Sequence, residues 1–303
     1  MPHPIAGVLP VAHTPFLDDD SIDVDSLRRQ IDWSYSQGAS GFCTGMVTEL
    51  LRLTAGERGE LTRLLGEINA GRGAFIAGVG AESTRQAVDY AVVAREAGAD
   101  AVMAIPPISS RLMNRELFNY FDTLVAESGL PVIVQDASSY VGQVIPHSLC
   151  VELLQRHGAD RILFKPEAAP LGPNLSALRD ATEGQAKIFE GSGGISLIDS
   201  FRRGIAGTMP GMEFLQGIVA VWNALQAGND ERAYRIYFPI CAMVALQLQA
   251  GLDGFLAVEK YVLHQRGLFT TTRRRRPFGW ELDKETRQEV DRLLAILDRE
   301  LED

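Results

Sequence analysis

The chain has 303 residues, 46% of them hydrophobic and 22% charged, with a formal net charge of −10. That length and composition suit one large globular domain or two medium ones, and the acidic balance argues against a nucleic-acid partner. No apolar run approaches the roughly 18 residues of a membrane span, and the opening MPHPIAGVLPVAHTPF lacks the basic stretch of a signal peptide. A cytoplasmic protein with no membrane partner is therefore expected.

In chain order, short apolar runs alternate with longer amphipathic ones. The strand candidates are 5–12, 41–45, 74–80, 101–107, 131–136, 161–165, 187–191 and 207–211. They are continuously apolar rather than alternating, as parallel strands covered on both faces should be. Between them, TAGERGELTRLLGEINAG opens with Thr54 and Glu57 at capping-box spacing. STRQAVDYAVVAREAG and NRELFNYFDTLVAESG each start with a capping residue and end in Gly. PHSLCVELLQRHG, PNLSALRDATEG and GISLIDSFRRG follow the same grammar. Repeated strand–helix units of this kind predict a (β/α)8 barrel over residues 1–227. A doubly wound open sheet is the alternative, but VAHTPFLDDD after the first strand is no Gly-rich phosphate loop. Beyond residue 213 only helical patterns follow, so 228–303 is expected to be a C-terminal helical extension. Its run Arg273-Arg274-Arg275-Arg276 reads as a solvated loop or a subunit contact.

Cys43, Cys150 and Cys241 have no CxxC spacing and read as small buried hydrophobes in a reducing compartment. His13, His147, His157 and His264 are scattered without HxH or HExxH, so no metal site is expected.

Of the basic residues only Lys165, Lys187, Lys260 and Lys284 are lysines. In a (β/α)8 barrel the chemistry lies at the carboxyl ends of the strands. Lys165 closes the run Ile162-Leu163-Phe164, Lys187 opens a strand, and the other two fall in the extension. A lysine in an apolar rim loses hydration, which favours the neutral amine. That amine can condense with a ketone to a Schiff base, an electron sink that permits aldol cleavage or β-elimination. Glu167 and Glu190 are the candidate acid and base, in an order the sequence leaves open. A plain structural ion pair between Lys165 and Glu167 is the alternative. The same rim offers Met46, Val47 and Thr48 after strand 2, Ile108 and Ser109 after strand 4, Gln135 and Asp136 at the end of strand 5, and Thr208 at strand 8. Gly191, Ser192 and Gly193 follow strand 7, where backbone N–H groups can cradle a phosphate, carboxylate or hydroxyl.

These segments resemble the dihydrodipicolinate synthase / N-acetylneuraminate lyase family of class I aldolases and dehydratases. GVLPVAHTPF, GFCTGMVTELLRLTAGER, AGVGAESTRQAVDYAVVAREAGADAVMAIPP and ILFKPEA carry the likeness across nearly the whole chain. It implies a (β/α)8 barrel, a Schiff base on Lys165 with no other cofactor, a 2-oxo acid as small-molecule substrate and a homo-oligomer, most simply a tetramer. The long apolar helix YFPICAMVALQLQAG points to an oligomer as well. The departures bear on the reaction. Gln135 stands where synthases and lyases place a tyrosine, Met46 where they place a threonine, and Ile108 and Ser109 replace the tyrosine of a P-P-Y-Y segment. Tyr140 replaces the arginine of dihydrodipicolinate synthases. The V-Q-D-A, F-K-x-E and Glu-Gly features are similar to the L-2-keto-3-deoxyarabonate dehydratase branch, matched by Gln135, Lys165, Glu167, Glu190 and Gly191. Met46, Val47, Thr48, Gln135, Gly191, Ser192 and Gly193 are then expected to contact substrate. The implied activity is dehydration of a 2-keto-3-deoxy sugar acid, with a pyruvate-releasing aldolase and a non-catalytic binding or regulatory barrel as alternatives.

Overall fold

The structure is a computed structural model, and it describes residues 3–302. The order of elements is β1 (Gly7–Val8), α1 (Val24–Ser36), β2 (Gly41–Cys43), α2 (Ala55–Asn69), β3 (Ala74–Gly78), α3 (Thr84–Glu96), β4 (Ala101–Ala104), α4 (Asn114–Ser128), β5 (Val132–Asp136), α5 (His147–His157), β6 (Ile162–Pro166), α6 (Leu171–Ala181), β7 (Phe189–Glu190), α7 (Leu197–Arg202), β8 (Gly207–Thr208) and α8 (Leu215–Gln226), followed by α9 (Asp230–Leu248), α10 (Gly251–Gln265) and α11 (Lys284–Glu302). Every expected strand is present; β6 keeps the length of its run shifted by one residue and the other seven are shorter, because pairing stops where the chain turns into the rim loops. The chain forms two compact units.

The first unit comprises residues up to Ala6, Ala55–Gly191 and Asp199–Thr208. β3, β4, β5 and β6 pair in parallel in sequence order, a bridge joins Phe164 to Ile188, and β7 pairs with β8. Val132, Ile133, Ile162, Leu163 and Phe164 are all buried, as strands covered on both faces must be. Ser83 caps α3 by accepting from the Gln86 N–H. Two expected caps differ. α4 starts after Met113, which gives no side-chain cap, so Asn114 lies inside its first turn. α6 begins at Leu171, two residues before Pro173. Proline is tolerated there because first-turn N–H groups have no intrahelical acceptor.

The second unit comprises Gly7–Thr54, Ser192–Ile198 and residues from Met209 onward. Its strand segments run in parallel, with Cys43 N–H donating to Pro10 O at 2.9 Å and Ala12 N–H to Cys43 O at 2.8 Å. α9 was expected to need a partner subunit to cover it. Much of its apolar surface is covered within the chain, where it packs against α8, α10 and α11 and buries Ile236, Ile240, Met243 and Val244. Phe238 remains 62% exposed, with Tyr234 5.7 Å away.

Lys260 on α10 is fully buried, a placement its sequence context did not signal. Its ammonium donates to Thr14 O at 2.8 Å and Arg273 O at 2.7 Å, and forms an ion pair with Glu49. The Phe16 ring lies 4.4 Å away. The second Glu49 oxygen accepts from the Arg275 N–H at 2.7 Å. One charge pair thus ties α10 to the loop after β1, the turn after β2 and the arginine run. Removing one member leaves the other charged and dry, which costs about 3–5 kcal/mol. Lys260→Met is therefore expected to lower unfolding stability by about that amount, read from the urea midpoint.

Candidate active site

Parallel pairing of β5 with β6 sets Gln135 opposite Lys165 and Asp136 opposite Pro166. Beyond the strand end the chain turns, and Glu167 is held to β5 at both backbone and side chain. Its N–H donates to Asp136 O at 2.9 Å, the Ser139 hydroxyl donates to its carbonyl at 2.6 Å, and Gln135 Nε2 donates to Oε2 at 2.7 Å. The remaining carboxylate oxygen, Oε1, lies 3.2 Å from Lys165 Nζ. Lys165 is 4% exposed, Glu167 7% and Gln135 4%. Burial pushes the Glu167 carboxyl above the usual carboxylate range, against the pull of the Lys165 charge and the Gln135 hydrogen bond; the nearby Glu190 adds to the rise.

Glu190, at the end of β7, is fully buried, and its carboxylate accepts a short hydrogen bond from the Thr208 hydroxyl at the end of β8. Gly191 follows directly. A Cβ there would sit 2.3 Å from Glu167 Oε1 and 2.4 Å from Lys165 Cε. The glycine is therefore required by space: it lets the Lys165–Glu167 pair fit beneath the β7 backbone. Sequence reading assigned Gly191 and Gln135 to substrate contact, whereas the structure brings both against the Lys165–Glu167 pair.

The rim loops are pinned by two carboxylates, Glu82, which the sequence pattern does not single out, and Asp136 at the end of β5. Glu82 accepts from the Ile108 and Ser109 N–H groups, each at 3.0 Å, and from the Ser109 hydroxyl. That hydroxyl is thereby committed to the loop. Asp136 accepts from Ser138 N–H at 2.9 Å and Ile145 N–H at 2.7 Å, closing the segment that carries Tyr140. Between the two loops lies a cleft of about 400 Å³ lined by Ile108, Ser109, Arg111, Ser138 and Gln143.

The lysines differ in how their donors are used. Lys187 is 47% exposed and pairs with Asp160 at 3.3 Å, and Lys284 is exposed at the start of α11. Lys260 is buried with three oxygen acceptors. Lys165 is buried and pairs with the Glu167 carboxylate.

The other expected site residues lie in the second unit. Met46, Val47 and Thr48 form a single helical turn. The Thr48 hydroxyl donates to Ala12 O at 2.6 Å and accepts from Gly45 N–H at 2.8 Å, so it serves the loop. Ser192 Oγ accepts from Ser196 N–H at 3.0 Å. Gly193 is left-handed at φ +69° against Phe255.

His13 is a buried histidine with carboxylate neighbours. Folding gathers it with Glu213 and Glu259, ligand atoms within 4.8 Å of one another. The signal was invisible because the three come from segments far apart in sequence. All are buried. Burial pushes Glu213 up to about 7 and Glu259 well above its ordinary value, and holds His13 down at about 3. Gln247 Nε2 donates to Glu213 at 2.8 Å. Imidazole with two carboxylates suits a divalent ion; protons on the two carboxyls balance the charge equally well. Of the cysteines, Cys43 and Cys150 are buried and Cys241 half-buried, all as free thiols, with Cys150 pushed up to about 12 by burial.

The profile described as the dihydrodipicolinate synthetase family matches residues 4–297. An L-2-keto-3-deoxyarabonate dehydratase from Azospirillum brasilense is 28% identical over 97% of this chain and 94% of its own. A 4-hydroxy-tetrahydrodipicolinate synthase from Leptothrix cholodnii is 25% identical over 90% of this chain and 92% of its own. The crystal structure of a dihydrodipicolinate synthase from Rhodopseudomonas palustris superposes with a TM-score of 0.85 at 28% identity, covering 96% of this chain and 97% of that one. The fold is the (β/α)8 barrel with a C-terminal helical extension.

Two outcomes follow from the geometry. Gly191→Ala drives a methyl group into Lys165 and Glu167, and a misplacement of this size costs on the order of 10²-fold in rate. Turnover should fall by about that factor with the circular dichroism spectrum unchanged. For Glu213 the folded pKa is raised, so its stabilising protonation is complete below the unfolded value and is lost as pH rises through about 7. His13 has the opposite sign, and its contribution is already complete above its ordinary value of 6.5. Glu259 is raised as well and acts in the same sense as Glu213. Thermal stability should therefore fall most steeply once pH passes 6.5, where the opposing His13 contribution ends. Glu213→Gln should remove the part of the decline that lies between its ordinary value of 4.5 and about 7, as a melting series across pH will register.

Proposed function

Because the chain belongs to the dihydrodipicolinate synthetase family, we propose that it is a lyase working through an imine on Lys165, and that its reaction is dehydration of a 2-keto-3-deoxy sugar acid of the L-2-keto-3-deoxyarabonate type to 2,5-dioxopentanoate. The observation that carries this reading is the buried contact of Lys165 with Glu167, with Gln135 braced on the far carboxylate oxygen. A carboxylate stands beside the amine, and Gln135 occupies the position where relay tyrosines stand in synthases and lyases. The A. brasilense relative supports the same chemistry.

The steps are as follows. Glu167 takes a proton from the Lys165 ammonium, an exchange its raised pKa favours. The free amine attacks the C2 ketone, and Glu167 gives the proton it took to the carbinolamine oxygen, which leaves as water; this forms the iminium and returns Glu167 to its carboxylate form. Glu167 then removes a C3 proton to form the enamine. Glu190 protonates the C4 hydroxyl, which departs as water, and Thr208 fixes the orientation of that carboxyl. Tautomerisation of C4–C5 and hydrolysis of the imine release the dioxo acid and regenerate the amine. No external cofactor is required, since the imine nitrogen serves as the electron sink. The 2-oxo acid is met in the cytoplasm. The family likeness, with Phe238 exposed on α9, supports a homo-oligomer, taken as a tetramer.

Pyruvate with borohydride should add mass to the peptide holding Lys165, and Lys165→Arg should abolish the adduct. Glu190→Gln should keep the adduct, and Glu167→Gln should slow both adduct formation and the elimination that follows it; each should lower kcat by about 10²–10⁴-fold. The acid limb of the wild-type kcat/KM profile should lie above the ordinary carboxylate range and vanish in Glu167→Gln. If Glu167→Gln instead blocks adduct formation and leaves elimination at its normal rate, Glu167 is only an ion-pair partner of Lys165.

A further inference from the structure

The arginine run that the lyase reading leaves unused lines a cavity of about 460 Å³ in the second unit. Arg273, Arg274, Arg276 and Arg287 line it, against two carboxylates, Asp20 and Glu281. Asp20 is already committed, accepting from Arg273 Nε at 3.1 Å. Arg274 is laid flat on Phe278, its guanidinium carbon 4.0 Å from the ring centroid, and donates to Asp253 O at 3.3 Å. Burial pulls Arg274 below its ordinary value, with Asp253 and Glu49 offsetting part of that. Arg276 and Arg287 are exposed. Among the described residues neither forms an ion pair; they face the rings of Phe278 and Tyr261 at 5.4 and 6.0 Å. A protein of net charge −10 thus holds an excess of guanidinium around one concave space. Local positive charge against an acidic background concentrates anions. Guanidinium forks match phosphate and carboxylate oxygens in pairs, and the volume falls in the range of small-molecule sites, roughly 300–1,000 Å³.

We propose that this cavity binds a small polyanionic metabolite carrying at least two phosphate or carboxylate groups, gripped by Arg276 and Arg287 with Arg274 as a stacked wall. The site is built by α10, α11 and the segment between them, with Asp20 from the loop after β1, and rests on none of the residues assigned to lyase chemistry. Its ligand is therefore not the 2-oxo acid of the reaction.

Isothermal titration of the whole protein with pyrophosphate, and separately with citrate, at fixed ionic strength tests the assignment. At least one probe should bind saturably at one site per chain. Pyrophosphate alone identifies a phosphorylated ligand, and citrate alone a polycarboxylate. The double variant Arg276→Ala/Arg287→Ala should bind about 10-fold or more weakly, and Arg276→Gln should fall between it and the parent. Arg292→Ala, which removes a guanidinium paired with Glu289, should bind as the parent does. Saturable binding by neither probe, or equal affinity in the parent and the double variant, overturns the proposal.

Discussion

Lys165 and Glu167 leave water together, and the surrounding arrangement follows from that. An isolated buried ammonium or carboxylate is costly, so each needs the other within reach, and they lie 3.2 Å apart. The carboxylate needs a second donor, which Gln135 provides from the neighbouring strand. The backbone must turn sharply after Pro166, so the Glu167 N–H goes to Asp136 and its carbonyl to Ser139. Space above the pair must stay open, so Gly191 follows Glu190. The strand register that sets Gln135 opposite Lys165 makes the arrangement possible.

The two buried lysines show how similar burial yields different chemistry. Lys260 has three oxygen acceptors and an aromatic face. Burial pulls the Lys260 ammonium below its ordinary value and Glu49 offsets part of that; the bonds make the residue a structural tie. Lys165 has one carboxylate whose own affinity for protons is raised by burial. The two lysines thus differ in the number of oxygen acceptors around the nitrogen rather than in depth.

The strand–helix alternation was legible because each strand is a short apolar run buried on both faces and most helices carry a Gly after their last turn. Lys165, Glu167 and Glu190 were legible because strand ends fix where the rim lies. The role of Gln135 was half-legible: its position could be read, but its grip on Glu167 depends on the β5–β6 register. Thr208 could be placed at the rim, yet its bond to Glu190 joins two strands and leaves no mark in spacing. The His13–Glu213–Glu259 group and the Lys260–Glu49 tie were not legible, since their members come from segments with no shared pattern. Apolar α9 was misread in part, because composition cannot tell whether a neighbouring helix or another subunit covers a face.

We propose that an imine on Lys165 leads to loss of water rather than to carbon–carbon cleavage. Proton NMR of the wild-type protein with L-2-keto-3-deoxyarabonate addresses it directly. The account predicts 2,5-dioxopentanoate as the accumulating product, with no pyruvate. Stoichiometric pyruvate and glycolaldehyde would contradict it.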